Sequence, residues 1–293
     1  MIDFLIINCI IEEKGDFFMK MKEMLQIALD LCGLEEMPED SGVVYDNEKE
    51  ITKVLAGIDM TQTELLIAKQ LGFDCVAQHH PNGIVNKDAS ALLARDHMAK
   101  MIAMGVPAPQ AQKLAYGRVG KMKQGMHGRN RDQMGSIAKL LDMNNLALHT
   151  PADICAENFT QKLLDDLSAR KPNCTCGDII DELLTVREYQ GALLGQEPDI
   201  WVGNRDSIAG KICVCMYGVG APTAEEYNAM ADAGVGTFVT MHATQEVIEG
   251  VRKHNKANLV IAGHMSSDSL GFNQILDAWE AKGIEIVRIN GII

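Results

Sequence analysis

The residues of this chain best suited to chemistry are histidines and the acids that accompany them. His79 and His80 are adjacent, closed by Pro81, at the end of a short apolar run from Phe73 to Gln78. Imidazole is a common metal ligand and the usual proton carrier near neutral pH. Two imidazoles at a strand end can reach one metal each, or one metal and one substrate. His149 is followed four residues later by Asp153, and His264 four residues later by Asp268. If the turn at 264–268 is helical, His264 and Asp268 share one face. Histidines with carboxylates and no thiolate suit Zn, Mn, Fe, Co or Ni. A carboxylate can also bridge two ions, and paired ions serve hydrolysis. His242, after Val239-Thr240-Met241, is a further candidate proton carrier.

The elements that must position these residues follow from the spacing of the apolar side chains. That spacing predicts a helix over 20–32, a polar connection over 35–47, and a strand over 52–58. A helix from Thr61 to Leu71 follows, with Glu64 completing a capping box. That strand–helix–strand unit ends in the two histidines. The stretch 87–143 reads as mostly helical, with 110–125 ambiguous because of its glycines. A strand over 145–149, a helix over 157–169 and a short helix over 178–186 come next. From residue 199 strands at 211–217, 237–241, 258–262 and 285–289 alternate with helices at 223–233, 244–254 and 270–282. This alternation predicts an α/β protein with parallel or mixed sheets flanked by helices. Five histidines, His79, His80, His149, His242 and His264, fall at carboxyl ends of expected strands. In open α/β sheets that is where ligands bind.

The expected organisation is two-lobed. Residues 1–18 read as a possible non-native extension, with the natural start at Met19 or Met21. Residues 19–150 form a first α/β lobe with a helical insertion over about 95–130, 151–198 a helical connection, and 199–293 a second α/β lobe.

Other motifs have plainer readings. Cys213 and Cys215 share one face of a strand, as buried small residues do, and Cys174 and Cys176 precede a helix start. Gly218 and Gly220 before the 223 helix make a turn without phosphate-loop spacing. Arg129 and Arg131 suit an exposed helix start. The 8 cysteines are scattered, without a Cys-x-x-Cys pair, as in a reducing, cytoplasmic setting. A net charge of −13 argues against nucleic acid and anionic membranes as partners.

Three segments carry a resemblance. "IDMTQTELLIAKQLGFDCVAQHHP", "LALHTPAD" and "VIAGHMSSD" lie in the order in which the NIF-three-like dinuclear metal-centre proteins present their Asp-x-Thr helix with its His-His-Pro strand, their His-Thr-x-x-Asp segment and their Gly-His segment. The chain resembles that family, whose members are often labelled GTP cyclohydrolase I type 2 homologues. The resemblance implies a pair of divalent metal ions per chain held by His79, His80, Asp153, His264 and Asp268. It also implies a two-lobed NIF-three-like fold and a homo-oligomer, with a hexameric ring as one form. Asp268 stands where the family usually has glutamate. Asn82-Gly83-Ile84 replaces its usual apolar run, and the gap from His80 to His149 is long. The expected function is a metal-dependent hydrolase of a small molecule, with purine-nucleotide ring opening implied by the family label. His242 and His149 would move protons. The alternative is a metal-binding, metal-delivery or interaction protein without turnover.

Overall fold

The computed structural model describes residues 18–82, 89–128, 130–190, 197–216 and 220–293. In chain order, α1 (Met21–Cys32), β1 (Gly42–Tyr45), β2 (Lys53–Gly57), α2 (Gln62–Gln70) and β3 (Cys75–Gln78) come first. Four helices follow: α3 (Ala89–Ala103), α4 (Ala108–Gly117), α5 (Val119–His127) and α6 (Gln133–Leu141). Then come β4 (Asn144–Ala147), the long α7 (His149–Arg170), α8 (Cys176–Leu183), β5 (Asp199–Val202) and β6 (Lys211–Cys215). The chain ends with α9 (Ala224–Asp232), β7 (Val235–Thr240), α10 (Gln245–His254), β8 (Asn258–Ile261), α11 (His264–Glu280) and β9 (Glu285–Ile289).

Two mixed sheets result, ordered β1-β4-β3-β2-β9 and β5-β8-β7-β6. In each, one antiparallel edge strand closes an otherwise parallel sheet: β1 against β4, and β5 against β8. The mixed α/β class read from the sequence is the class observed. Several elements differ from expectation. β1 lies within the expected polar connection, and β5 was not expected. Both have four residues, and pairing with a neighbour supplies what a strand that short lacks. β9, placed by its sequence at the end of the second lobe, pairs in parallel with β2 of the first sheet. The ambiguous stretch 110–125 is helical, divided between α4 and α5. The extension at 1–17, Arg129 and Gly218 lie outside the described residues.

The largest shifts concern the two central helices. α7 starts at His149 rather than 157, with Pro151 in its first turn, where a missing N–H costs nothing. α11 starts at His264 rather than 270. These helices are sandwiched between the sheets. Ala152 and Cys155 of α7 join Phe272, Ile275 and Trp279 of α11 in the apolar cluster under the first sheet. Ala156 and Leu164 of α7, with Leu270 of α11, belong to the cluster under the second. Burial on opposite sides fixes both helices and aims their first turns into the cleft between the sheets. The outer faces are covered by α2 and α6 on one side and by α9 and α10 with the α3–α4 helices on the other. The capping boxes expected at Thr61/Glu64 and Thr223/Glu226 are both present. Among the described residues no helix is long and apolar enough to cross a membrane.

Candidate metal centre

The centre is assembled from β3 and the first turns of α7 and α11. β3 ends at Gln78, so His79 and His80 leave the sheet at its carboxyl edge. His149 and Asp153 stand one turn apart on α7, and His264 and Asp268 one turn apart on α11. Two glycines set the approach. Gly263 caps α11 at φ 104, a backbone angle that strains any residue with a Cβ. A Cβ on Gly271 would lie 2.0 Å from the carbonyl oxygen of Ala152, so only glycine lets α11 close on α7 and bring Asp268 towards Asp153.

The geometry around Asp268 is specific. Its side chain is buried, with 1% of the residue exposed, and neither carboxylate oxygen has a hydrogen-bond partner. Oδ1 stands 3.5 Å from Nε2 of His79, while Oδ2 stands 3.4 Å from Nε2 of both His80 and His264. Asp153 Oδ1, also without a hydrogen-bond partner, lies 3.4 Å from Nε2 of His79. The tautomers follow from the far side of the rings. His79 Nδ1 lies 3.2 Å from the Leu148 carbonyl, which can only accept, so the proton sits on Nδ1. His80 Nδ1 lies 2.8 Å from Asp59 and donates to that carboxylate. Both rings therefore aim an Nε2 lone pair at carboxylate lone pairs.

Lone pairs at these separations make no hydrogen bond, and burying ionised carboxylates without one is costly. They do fit ligands of a common cation. Two donors each about 2.1 Å from a tetrahedral ion stand about 3.4 Å apart. Among the described residues three groups could hold an ion: His79 with Asp153 and Asp268, His80 with His264 and Asp268, and His79 with His80 and His149. The residues present thus fit a divalent metal, and the orphaned oxygens of Asp268 are the observation that says so.

The electrostatics agree. Burial would raise Asp268, but the imidazoles of His79, His264 and His80 outweigh it and hold the carboxyl below its usual range. Burial raises Asp153 well above the usual carboxylate range, helped by the negative charges of Asp268 and Asp40. Burial lowers His79, and pushes His264 down to about 4, so both rings are neutral and able to donate a lone pair at neutral pH. His149 behaves oppositely. Burial would lower it, but Asp153 and Asp40 outweigh burial and push it up to about 9.

Asp40 is the residue that local sequence patterns do not reveal. It precedes β1, is 2% exposed, and its Oδ2 accepts from His149 Nδ1 at 2.7 Å and from the Thr150 hydroxyl at 2.8 Å. Ser41 Oγ donates to its other oxygen at 3.0 Å. The His149 ring is thereby fixed in a stack on His79, with centroids 4.9 Å apart. Carboxylates that orient a histidine from behind are the usual supports of metal sites. The His242 ring stands 4.6 Å from that of His264 and outside the three groups. A cavity of about 60 Å³ adjoins the centre, lined in part by His149, Asp153, His242, His264 and Asp268. The seven residues singled out from the sequence thus come together in one cleft.

No protein-family model matches the sequence, and no curated protein does either. Solved structures do. A NIF3 superfamily protein from Sphaerobacter thermophilus superposes with a TM-score of 0.85 at 32% identity, over 92% of this chain and 98% of that one. The chain belongs to the NIF3 superfamily. The reduced form of HcgD from Methanocaldococcus jannaschii superposes on this NIF3 superfamily protein with a TM-score of 0.57 at 15% identity, over 94% of this chain and 99% of its own. TTHA1606 from Thermus thermophilus gives 0.53 at 14% identity, over 93% and 98%. These two share the fold. Together, the NIF3 fold and the His/Asp groups fit a metal-binding protein.

Proposed function

We propose that this chain holds two divalent metal ions and uses them to hydrolyse a small molecule. Asp268 carries the reading. It belongs to two of the three donor groups, and its two oxygens face different histidines, as a bridging carboxylate would. In this reading His79 and Asp153 complete one position and His80 and His264 the other. Zn, Mn, Fe, Co and Ni all accept this donor set. When bound, the ions would supply Lewis acidity at the scissile bond and at water.

The chain's own residues supply the rest. Asp59, Leu148 and Asp40 hold three imidazole rings in orientation. His242 borders the cavity and is exposed enough to exchange protons with solvent. Partial loss of water around its ring lowers its pKa, so it is a neutral base at pH 7. His149, held by Asp40, keeps its proton at the same pH and can donate it. A base and an acid at one cavity suit hydrolysis of a C–N or P–O bond. Opening of a purine-nucleotide ring is the reaction that the family resemblance implies.

Elemental analysis of untagged protein purified without chelators tests the centre. About two equivalents per chain are expected, falling in both His79→Ala and Asp268→Ala. Protein that takes up no metal even on reconstitution would remove the reading. Turnover separates hydrolysis from delivery: a hydrolase keeps its ions against a chelator while converting nucleotide or amide substrates, whereas a carrier releases them and converts none.

A further inference from the structure

Gly220, Ala221 and Pro222 line the cavity beside the metal centre together with Asp153, His242 and Asp268. None of the three has a polar side chain to brace itself, so this wall must be held from outside. It is tied at both ends. At one end the Gly220 carbonyl accepts from Nε2 of His97, on α3, at 3.0 Å. At the other, the Thr223 N–H donates to Glu226 at 2.7 Å, and the same Glu226 oxygen stands 3.1 Å from His97 Nδ1. One buried imidazole, 123 residues from Gly220 in the chain, therefore reaches both ends.

Two features separate this contact from ordinary packing. A carbonyl can only accept, so the Nε2 proton of His97 stays committed to Gly220 whichever charge the ring carries. The wall also stands against empty space. Pro222 lines the first cavity and a second one of about 10 Å³, which has room for about one water. A segment with a void beside it keeps its place through hydrogen bonds more than through contact. The first cavity has a volume of only about 60 Å³, so a small retreat of the wall changes what fits beside the centre.

We propose, resting on the metal reading above, that His97 is a positioning residue of the cleft: through the Gly220 carbonyl it fixes the Gly220–Pro222 wall and so limits the bulk of the ligand group admitted beside the metals. His97 lies outside the three donor groups, so metal content does not depend on it. The α3–α5 helices thereby shape the site without lending it a ligand. Arg118, at the junction of α4 and α5, reinforces the same point. Its Nη1 donates to Glu226 at 3.2 Å, and its Nη2 would stand 3.5 Å from a Cβ on Gly220.

Acetate and benzoate are the probe ligands, read by the visible absorption of cobalt-loaded, full-length protein. His97→Ala should take up as much cobalt as wild type and shift the ratio of the two affinities towards benzoate by about tenfold. His97→Gln, whose amide N–H reaches the same carbonyl, should keep the wild-type ratio. General loosening of the fold would weaken both ligands alike. Hydrogen exchange in chelated protein reads the wall without metal. The peptide carrying Gly220 and Ala221 should exchange about fivefold faster in His97→Ala, the effect of one lost hydrogen bond, and at the wild-type rate in His97→Gln. His97→Asn, whose shorter amide reaches Glu226 but not Gly220, replaces the alanine variant if circular dichroism shows that it does not fold. An unchanged ratio at full cobalt content, or unchanged exchange of that peptide, would overturn the proposal and leave the centre standing. Wild-type protein that takes up no cobalt would remove the centre and the proposal together.

Discussion

Glu226 and Asp268 are both buried carboxylates near a helix start, both beside histidines, and they differ in what reaches them. One oxygen of Glu226 accepts from the Thr223 N–H at 2.7 Å, from Arg118 at 3.2 Å and from His97 at 3.1 Å. The donors come from the α3–α5 helices and from the helix's own cap, and they hold those helices against α9. Asp268 has three imidazoles at similar range, but those of His79 and His80 hold their protons on Nδ1, away from it, and neither of its oxygens has a hydrogen-bond partner. In the first cluster Oε2 is satisfied threefold and only Oε1 lacks a partner, whereas both oxygens of Asp268 lack one. The second is complete only with a cation. Buried acids among histidines therefore do not mark a site by composition. They mark one when both carboxylate oxygens lack hydrogen bonds and face imidazole nitrogens.

The sharpest way to break this contrast is to part the central helices. Gly271→Ala places a Cβ against the Ala152 carbonyl, so α7 and α11 must separate. The expected cost is about 3 kcal/mol in urea unfolding, the upper end for overpacking, because the contact is with backbone. Metal content should fall with it, because Asp153 and Asp268 ride on the two helices. The Glu226 cluster lies off that crossing and should keep α4 and α5 docked on α9, although the Lys100–Glu157 pair ties α3 to α7. Limited proteolysis of the α4–α5 segment reads that directly.

Glu226→Gln attacks the other side of the comparison. It leaves Arg118 and His97 without their carboxylate, at a cost of about 2 kcal/mol for lost charge-assisted hydrogen bonds. That loss should be the same with and without chelator, since the cluster holds no metal ligand. Asp268→Asn should behave oppositely. In chelated protein it removes a charge that the neighbouring imidazoles favour, so stability should fall slightly there and by much more with metal present. Unfolding curves of the two variants with and without metal make the test.

How much of this was legible beforehand follows from the range of the interactions. The capping boxes at Thr61 and Thr223 are local and were readable. So were the histidines at strand ends and the four-residue spacings of His149 with Asp153 and of His264 with Asp268. The early starts of α7 and α11 were not, because proline and glycine near a helix start also serve turns. β1 and β5 exist through pairing with distant strands. β9 returns to the first sheet after the whole second sheet has formed. Asp40 bonds a ring 109 residues away, and no spacing rule reaches that far.

Asp40→Asn sharpens the contrast at that long-range contact. The amide keeps the shape but loses the charge that holds His149. Turnover should fall about 10- to 100-fold while metal content holds, because Asp40 orients the His149 ring and keeps its proton without orienting a proposed ligand. The sign of the accompanying change is fixed: with one negative neighbour gone, His149 should titrate below its present value of about 9. Histidine NMR on chelated protein follows that shift, and a His149 pKa that stays put would remove Asp40 from the support of the centre.

The smallest expected effect on the centre itself belongs to His242→Gln. The ring stands 4.6 Å from His264 but outside every donor group, so metal content should match wild type in elemental analysis. If His242 moves a proton in turnover, the loss appears in kcat instead, at about 100-fold or more, with the low-pH limb of the rate profile altered. Binding without a base and binding with one are thus separable at a single residue. A variant that loses metal would make His242 a ligand and extend the centre by one strand end. A variant that keeps both metal and rate would leave His149, which also lines the cavity, as the proton carrier.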